Sequence, residues 1–169
     1  LTEKAQRLER YAASLAAIDE AVRNCVCVGA DPNAICLLDN FCWPSCEEPE
    51  QLGALVRAAE ACYDGSLAYR MPFISGKDSL NNQFTKDDGS VIAIPATLLI
   101  TAMGIVPDVS YCCTMDAKAA ENVLLMVGHT TSSLGGSHYL MLNCAAADRT
   151  VPKVDLQRGP IFANAVAKL

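Results

Sequence analysis

The longest regular pattern in the sequence is helical, and it comes first. Leu8, Tyr11, Leu15, Ile18 and Val22 recur at alternating steps of three and four, which lays apolar side chains in one stripe. This spacing predicts a helix over residues 2 to about 28, stopped by 29-GADP-32 with Gly29 at its C-cap and Pro32 just beyond. Downstream, 35-ICLLD-39 reads as a buried strand ending in a carboxylate, and 72-PFIS-75 as a second short strand. Between them, Leu52, Leu55, Val56, Ala59 and Cys62 mark a helix over residues 50 to about 64, after a loop punctuated by Pro44 and Pro49. The run 94-IPATLLITAMGIV-106 reads as a third, longer strand, too apolar for a sheet edge, and 86-KDDG-89 as a turn before it.

Beyond Pro107 the pattern restarts. A helical piece at 116-DAKAAEN-122 precedes a strand at 123-VLLMV-127, a glycine-bearing loop at 128–137 and an apolar segment, 139-YLML-142. A last helix over 156–169 takes Asp155 as its cap, with Gly159 and Pro160 awkward in its first turn. A boundary near residues 107–115 divides the chain into residues 1–109 and a shorter second piece, 110–169, that reads as cut from something larger.

Composition narrows the function classes. A 51% hydrophobic content over 169 residues is enough for a sizeable core. A net charge of −6 argues against nucleic-acid binding, which needs clustered lysine and arginine. No apolar run approaches the ~18 residues of a membrane helix, and the charged start 1-LTEKAQRLER-10 is unlike a signal peptide, so a soluble, cytoplasmic protein is expected. The nine cysteines lack paired CxxC spacing and are odd in number, and most sit among Val, Leu and Ala, which reads as reduced core residues. Two histidines, His129 and His138, are too few for a histidine-rich metal site, and His138 beside Ser137 does not make a catalytic pair.

Four places carry candidate chemistry. Glu20 and Asn24, four apart on one helical face, both offer oxygens of the kind Mg²⁺ takes; a solvated glutamate beside an amide is the plainer alternative. Asp39 ends a strand, where open α/β sheets direct groups at ligands, or else forms an Asx turn with Asn40. The stretch 75-SGKDS-79 fails as a P-loop: Met71 stands where the first glycine should be, and Asp78 follows Lys77. It remains a glycine turn with one cation and two hydroxyls, able to meet a phosphate or to hold the loop through Asp78 or Asp39. The turn 134-LGGS-137, with Gly135, Gly136 and Ser137, is a weaker anion-binding candidate at a helix start.

Taken in order, 19-DEAVRNCVCVGADP-32, 39-DNFCWPSCEEPE-50, 72-PFISGKDSLNNQF-84 and 94-IPATLLITAMGIVPDV-109 resemble the phosphoribosylformylglycinamidine synthase family, within the aminoimidazole-ribonucleotide synthetase superfamily. The resemblance runs from about residue 10 to residue 156 and includes 134-LGGS-137 and 152-PKVDL-156. It implies an α/β fold: an AIR synthetase-like N-terminal-type domain over 1–109, half of a pseudo-dimeric sheet or barrel, then the truncated start of a C-terminal-type α/β domain over 110–169. On this basis the chain is expected to be the second half of the synthetase core, truncated at both ends. The family makes formylglycinamidine ribonucleotide from formylglycinamide ribonucleotide, ATP and glutamine-derived ammonia.

The resemblance also implies roles residue by residue. Glu20 and Asn24 match positions that hold Mg²⁺ against nucleotide phosphates, Asp39 and Gly76 match ATP contacts, and Ser79 matches a contact to the ribonucleotide substrate. Lys77 departs from the branch whose asparagine ligates the metal, and implies instead an ATP contact that neutralises phosphate charge. Implied partners are the other half of the same core and a glutaminase domain or subunit. The family's catalytic histidine and glutaminase nucleophile match nothing here, so the chain alone is expected to be inactive; the sheet that would meet the other half is apolar, so a dimer imitating the pseudo-twofold is expected. A structural half holding ATP or ADP, or another phosphoryl-transfer member of the superfamily, are the alternatives.

Overall fold

In a computed structural model, residues 3–135, 137–143 and 151–169 are described, without the side chains of 3–8 and 141. The first helix, α1, runs Glu3–Val26 and stops close to the predicted point, with Gly29 at a φ of 98°. Leu15, Ile18, Val22 and Val26 form its buried stripe, and Tyr11 is half buried. Strand β1 (Ile35–Cys42) follows, then helix α2 (Pro49–Tyr69), opened by Pro49 where no backbone N–H is needed. Strand β2 (Phe73–Ser79), the hairpin β3 (Gln83–Thr85) and β4 (Val91–Ala93), and strand β5 (Thr97–Gly104) complete the sheet region.

The main sheet has the order β2-β1-β5, with β1 parallel to β2 and antiparallel to β5. The parallel pair needs a crossover, and α2 provides it. Helices α1 and α2 pack on each other, and α1 also packs on β5, so the helices cover one face of the sheet. Into that layer β1 sends Ile35, Leu37 and Phe41, all buried, while Cys36, Leu38, Asn40 and Cys42 alternate to the other, open face. Trp43, 1% exposed, closes the core at the end of β1 and donates its indole N–H to the Gln51 carbonyl at 3.0 Å.

Several expectations are corrected here. The segment 75–79 is not a turn: β2 continues to Ser79, because Ser75 through Ser79 pair in register with Leu38 through Cys42. Asp39 is therefore inside a strand and not at its end. The apolar run at 94–106 becomes an edge strand, β5, whose outward residues Leu99 and Met103 stay exposed at 58% and 56%. Its hydrophobicity serves two faces, the second of which nothing in this chain covers among the described residues.

Residues 116–122 are not helical, and 123–127 are not a strand. An isolated apolar run has no ladder to satisfy its backbone, and Leu124 is 94% exposed. The apolar segment near 140 is a short helix, α3 (His138–Leu142), and the last helix is α4 (Arg158–Val166). Asp155 does cap its start, accepting the Gln157 and Arg158 N–H groups at 3.0 Å each, and Pro160 sits in the first turn, where it costs no hydrogen bond. Helix α4 packs on α1 and α2 through Ala163 beside the half-buried Tyr69–Asp19 hydrogen bond.

The cysteines are free among the described residues, as expected, but only Cys62 is buried; Cys27, Cys112 and Cys113 are exposed. Two of the half-buried thiols, Cys36 and Cys42, belong to the sheet's open face, where small apolar side chains need not be enclosed.

Candidate functional site

Strand periodicity decides where the candidate residues go. Along β2, Ser75, Lys77 and Ser79 share the open face with their register partners Leu38, Asn40 and Cys42, while Gly76 and Asp78 alternate to the helix-covered side with Asp39 and Phe41. Asp39 and Gly76 are thus brought together, as cross-strand partners. The Asp39 carboxylate lies over the glycine so closely that a Cβ there would stand 2.2 Å from Oδ1. With Asp39 in this rotamer, only glycine leaves room for it.

Burial raises the Asp39 carboxyl above the usual aspartate range, the Asp78 charge raises it further, and the Lys77 backbone N–H offsets part of this. The neighbouring Cys62 thiol is pushed up to about 12, first by burial and then by the Asp39 charge.

Lys77 is exposed, and its ammonium donates to the Ser79 hydroxyl. Neither Asp78 nor Asp39 pairs with it: among the described residues Lys77 makes no ion pair. The structural alternative, a lysine that merely ties down its own segment through a carboxylate, has lost its partner. The open face also gains two members that sequence reading missed. Asn40 stands beside Lys77, and Thr97 on β5 lines up with Cys42 and Ser79. A period of two along each strand would have put Asn40 on the face opposite Leu37 and Phe41, and Thr97 on the face of Leu99; reading 75–79 as a turn hid that Lys77 and Ser79 share that face.

Glu20 and Asn24 share one face of α1, both exposed, and neither side chain makes a hydrogen bond or ion pair among the described residues. That face is opposite the Leu15–Ile18–Val22–Val26 stripe, so the pair points away from the sheet. One carboxylate and one amide oxygen, solvent-accessible and uncommitted, fit a hard cation that keeps waters and phosphate oxygens as its other ligands. No cluster of three acidic, histidine or cysteine side chains suited to a metal occurs among the described residues. Ser137 caps α3, accepting the Leu140 N–H at 3.3 Å; Gly135 is buried beside it, and Gly136 lies outside the described residues.

Comparison with known proteins bears on this arrangement. No family model matches the chain. The phosphoribosylformylglycinamidine synthase subunit PurL of Deinococcus radiodurans is 37% identical over 155 residues, which is 89% of this chain and 20% of that protein. The subunits of the same name from Gloeobacter violaceus (34% over 149 residues; 88% and 19%) and Caldanaerobacter subterraneus subsp. tengcongensis (32% over 164 residues; 96% and 21%) match likewise. The chain is homologous to one segment of PurL. It spans about a fifth of the length of the relatives it matches. At 96% of this chain, the third of these matches spans the sheet, both large helices and the region that follows. No helix among the described residues is long and apolar enough to cross a membrane.

Proposed function

We propose that the chain is the nucleotide- and substrate-contacting segment of a phosphoribosylformylglycinamidine synthase, folded as an AIR synthetase-like N-terminal-type domain with the start of a C-terminal-type domain from about residue 110. The reaction joins ammonia, released from glutamine, to formylglycinamide ribonucleotide: ATP phosphorylates the amide oxygen, ammonia displaces phosphate, and the amidine, ADP and phosphate leave. In this reading Lys77 neutralises phosphate charge and Ser79 holds the ribonucleotide from the open face. Asp39 and Gly76 form the nucleotide side, and Glu20 with Asn24, on the outer face of α1, carries Mg²⁺ against the phosphates of a nucleotide bound there. The metal would supply charge neutralisation there; the chain's own side chains bind and orient.

One observation carries this: an exposed lysine without a carboxylate partner, next to a serine it already touches, in the segment homologous to PurL. A cation left uncompensated beside hydroxyls is arranged for an anion from outside. The apolar, uncovered Leu99 and Met103 support a further part of the reading, in which this face meets the other half of the synthetase core or a second copy. A glutaminase domain or subunit is the remaining partner, and the setting is the cytoplasm.

The outward position of Glu20 and Asn24 favours a second reading in one respect. A nucleotide bound there is separated by α1 and the sheet from Lys77 and Ser79, and would be held instead of consumed. Calorimetry with ADP and Mg²⁺ tests the nucleotide site: binding that is lost in Glu20→Ala supports it. Binding that is unaffected by both Glu20→Ala and Lys77→Ala refutes the assignment. Amidine formation by the chain alone would refute the expectation that it is only part of the catalyst.

A further inference from the structure

The rungs of the open face cross all three strands. Ser79, Cys42 and Thr97 make one rung, and Lys77, Asn40 and Leu99 the next. Asn40 therefore sits mid-strand on the central strand, between Leu38 and Cys42 on its face. That is an unfavourable place for asparagine: short amides are depleted from strands because they compete for backbone hydrogen bonds. An aliphatic residue would suit the apolar surroundings of Leu38 and Leu99 better. The side chain does not serve the backbone here either. Its Oδ1 accepts a weak hydrogen bond from the Cys42 thiol at 3.3 Å, and its NH₂ donates to nothing among the described residues. A local rule is broken without an internal gain, beside an uncompensated ammonium.

We infer that Asn40 contacts ligand: its carboxamide NH₂ donates to an oxygen of the same terminal phosphate that Lys77 neutralises. The amide supplies direction where the lysine supplies charge. Because the phosphate could belong to the ribonucleotide or to the nucleotide, the shared element is the phosphate. The inference rests on the reading of Lys77 and Ser79 given above.

The test is a set of titrations followed by two-dimensional ¹H–¹⁵N NMR, with formylglycinamide ribonucleotide, its dephosphorylated form, and ADP with Mg²⁺. The Asn40 side-chain amide pair is expected to shift with a phosphorylated ligand and to stay still with the dephosphorylated one. Asn40→Leu should fold at least as well as the wild type, since it removes a strand-averse amide, and should bind that phosphorylated ligand about tenfold or more weakly, the effect of one lost hydrogen bond to a charged group. Asn40→Asp should bind more weakly still, by repulsion. Whichever phosphorylated ligand loses affinity identifies the phosphate's source. Wild-type affinity in Asn40→Leu, with affinity lost in Lys77→Ala, overturns the inference and leaves the function reading intact. No shift at Asn40 or Lys77 with either phosphorylated ligand overturns both.

Discussion

Gly76→Ala is the sharpest probe of how β1 and β2 meet. A Cβ on residue 76 would lie 2.2 Å from Asp39 Oδ1 and 2.9 Å from its Cγ, separations that packed atoms do not tolerate. Asp39 must then leave its rotamer, toward Asp78 or toward the helix layer that holds Cys62. Forced repacking of this kind costs about 1–3 kcal/mol, and Ala returns about 0.5–1 kcal/mol by restricting the unfolded chain. A net loss of about 1–2 kcal/mol is expected. In an Asp39→Ala background the obstruction is gone, so the same change should be neutral or mildly stabilising. The two substitutions should therefore be coupled by the obstruction itself, about 1–3 kcal/mol. Urea unfolding followed by the fluorescence of Trp43, the single tryptophan and a buried one, gives all four stabilities. If Gly76→Ala costs the same whether or not Asp39 is present, the carboxylate does not lie over the glycine and the description of this site is wrong.

Other outcomes follow from the same geometry. The folded protein holds the Asp39 proton more tightly than the unfolded chain does, so this group's contribution to stability is present below the unfolded value near ~3.9 and is lost as pH rises through the raised folded value. Asp39→Asn should accordingly melt higher than wild type at pH 7, with the difference vanishing near pH ~3.5; a constant difference across that range refutes the raised carboxyl. Tyr69→Phe removes the hydroxyl bonded to Asp19, but Arg23 Nε still donates to that carboxylate at 2.6 Å, so the loss should be only about 1 kcal/mol, read from the urea midpoint at unchanged m. Leu37→Ala, at a fully buried position, should cost about 2–5 kcal/mol. Leu99→Ala should cost less than about 0.5 kcal/mol in a dilute monomer; a large, concentration-dependent cost would mean that a second copy covers the open face.

Much of the fold was legible because its two large helices and central strand obey strong periods. The α1 stripe and its stop at 29-GADP-32 needed only spacing and a glycine. What failed did so for tertiary reasons. Nothing local distinguishes 123-VLLMV-127 from a buried strand; only the lack of a pairing neighbour does. The edge position of β5 was hidden because its open face carries Leu99 and Met103 beside two threonines, uncharged enough to read as a buried side. The cysteines misled similarly: proximity to valine and alanine in sequence says nothing about which side of a pleat a thiol occupies.

The candidate site teaches a more specific point about reading motifs. As a turn, 75-SGKDS-79 could present all its groups to one ligand; as a strand it cannot, because alternate residues belong to different layers. Asp39 and Gly76 face the helices while Lys77 and Ser79 face away. The glycine answers to the carboxylate packed over it and the lysine to the open face, so the two demands fall on different layers of one strand. Replacing Asp39 as well as Gly76 separates packing from binding, because stability should recover in the Gly76→Ala, Asp39→Ala pair while nucleotide binding, which the proposed function assigns to both residues, should not.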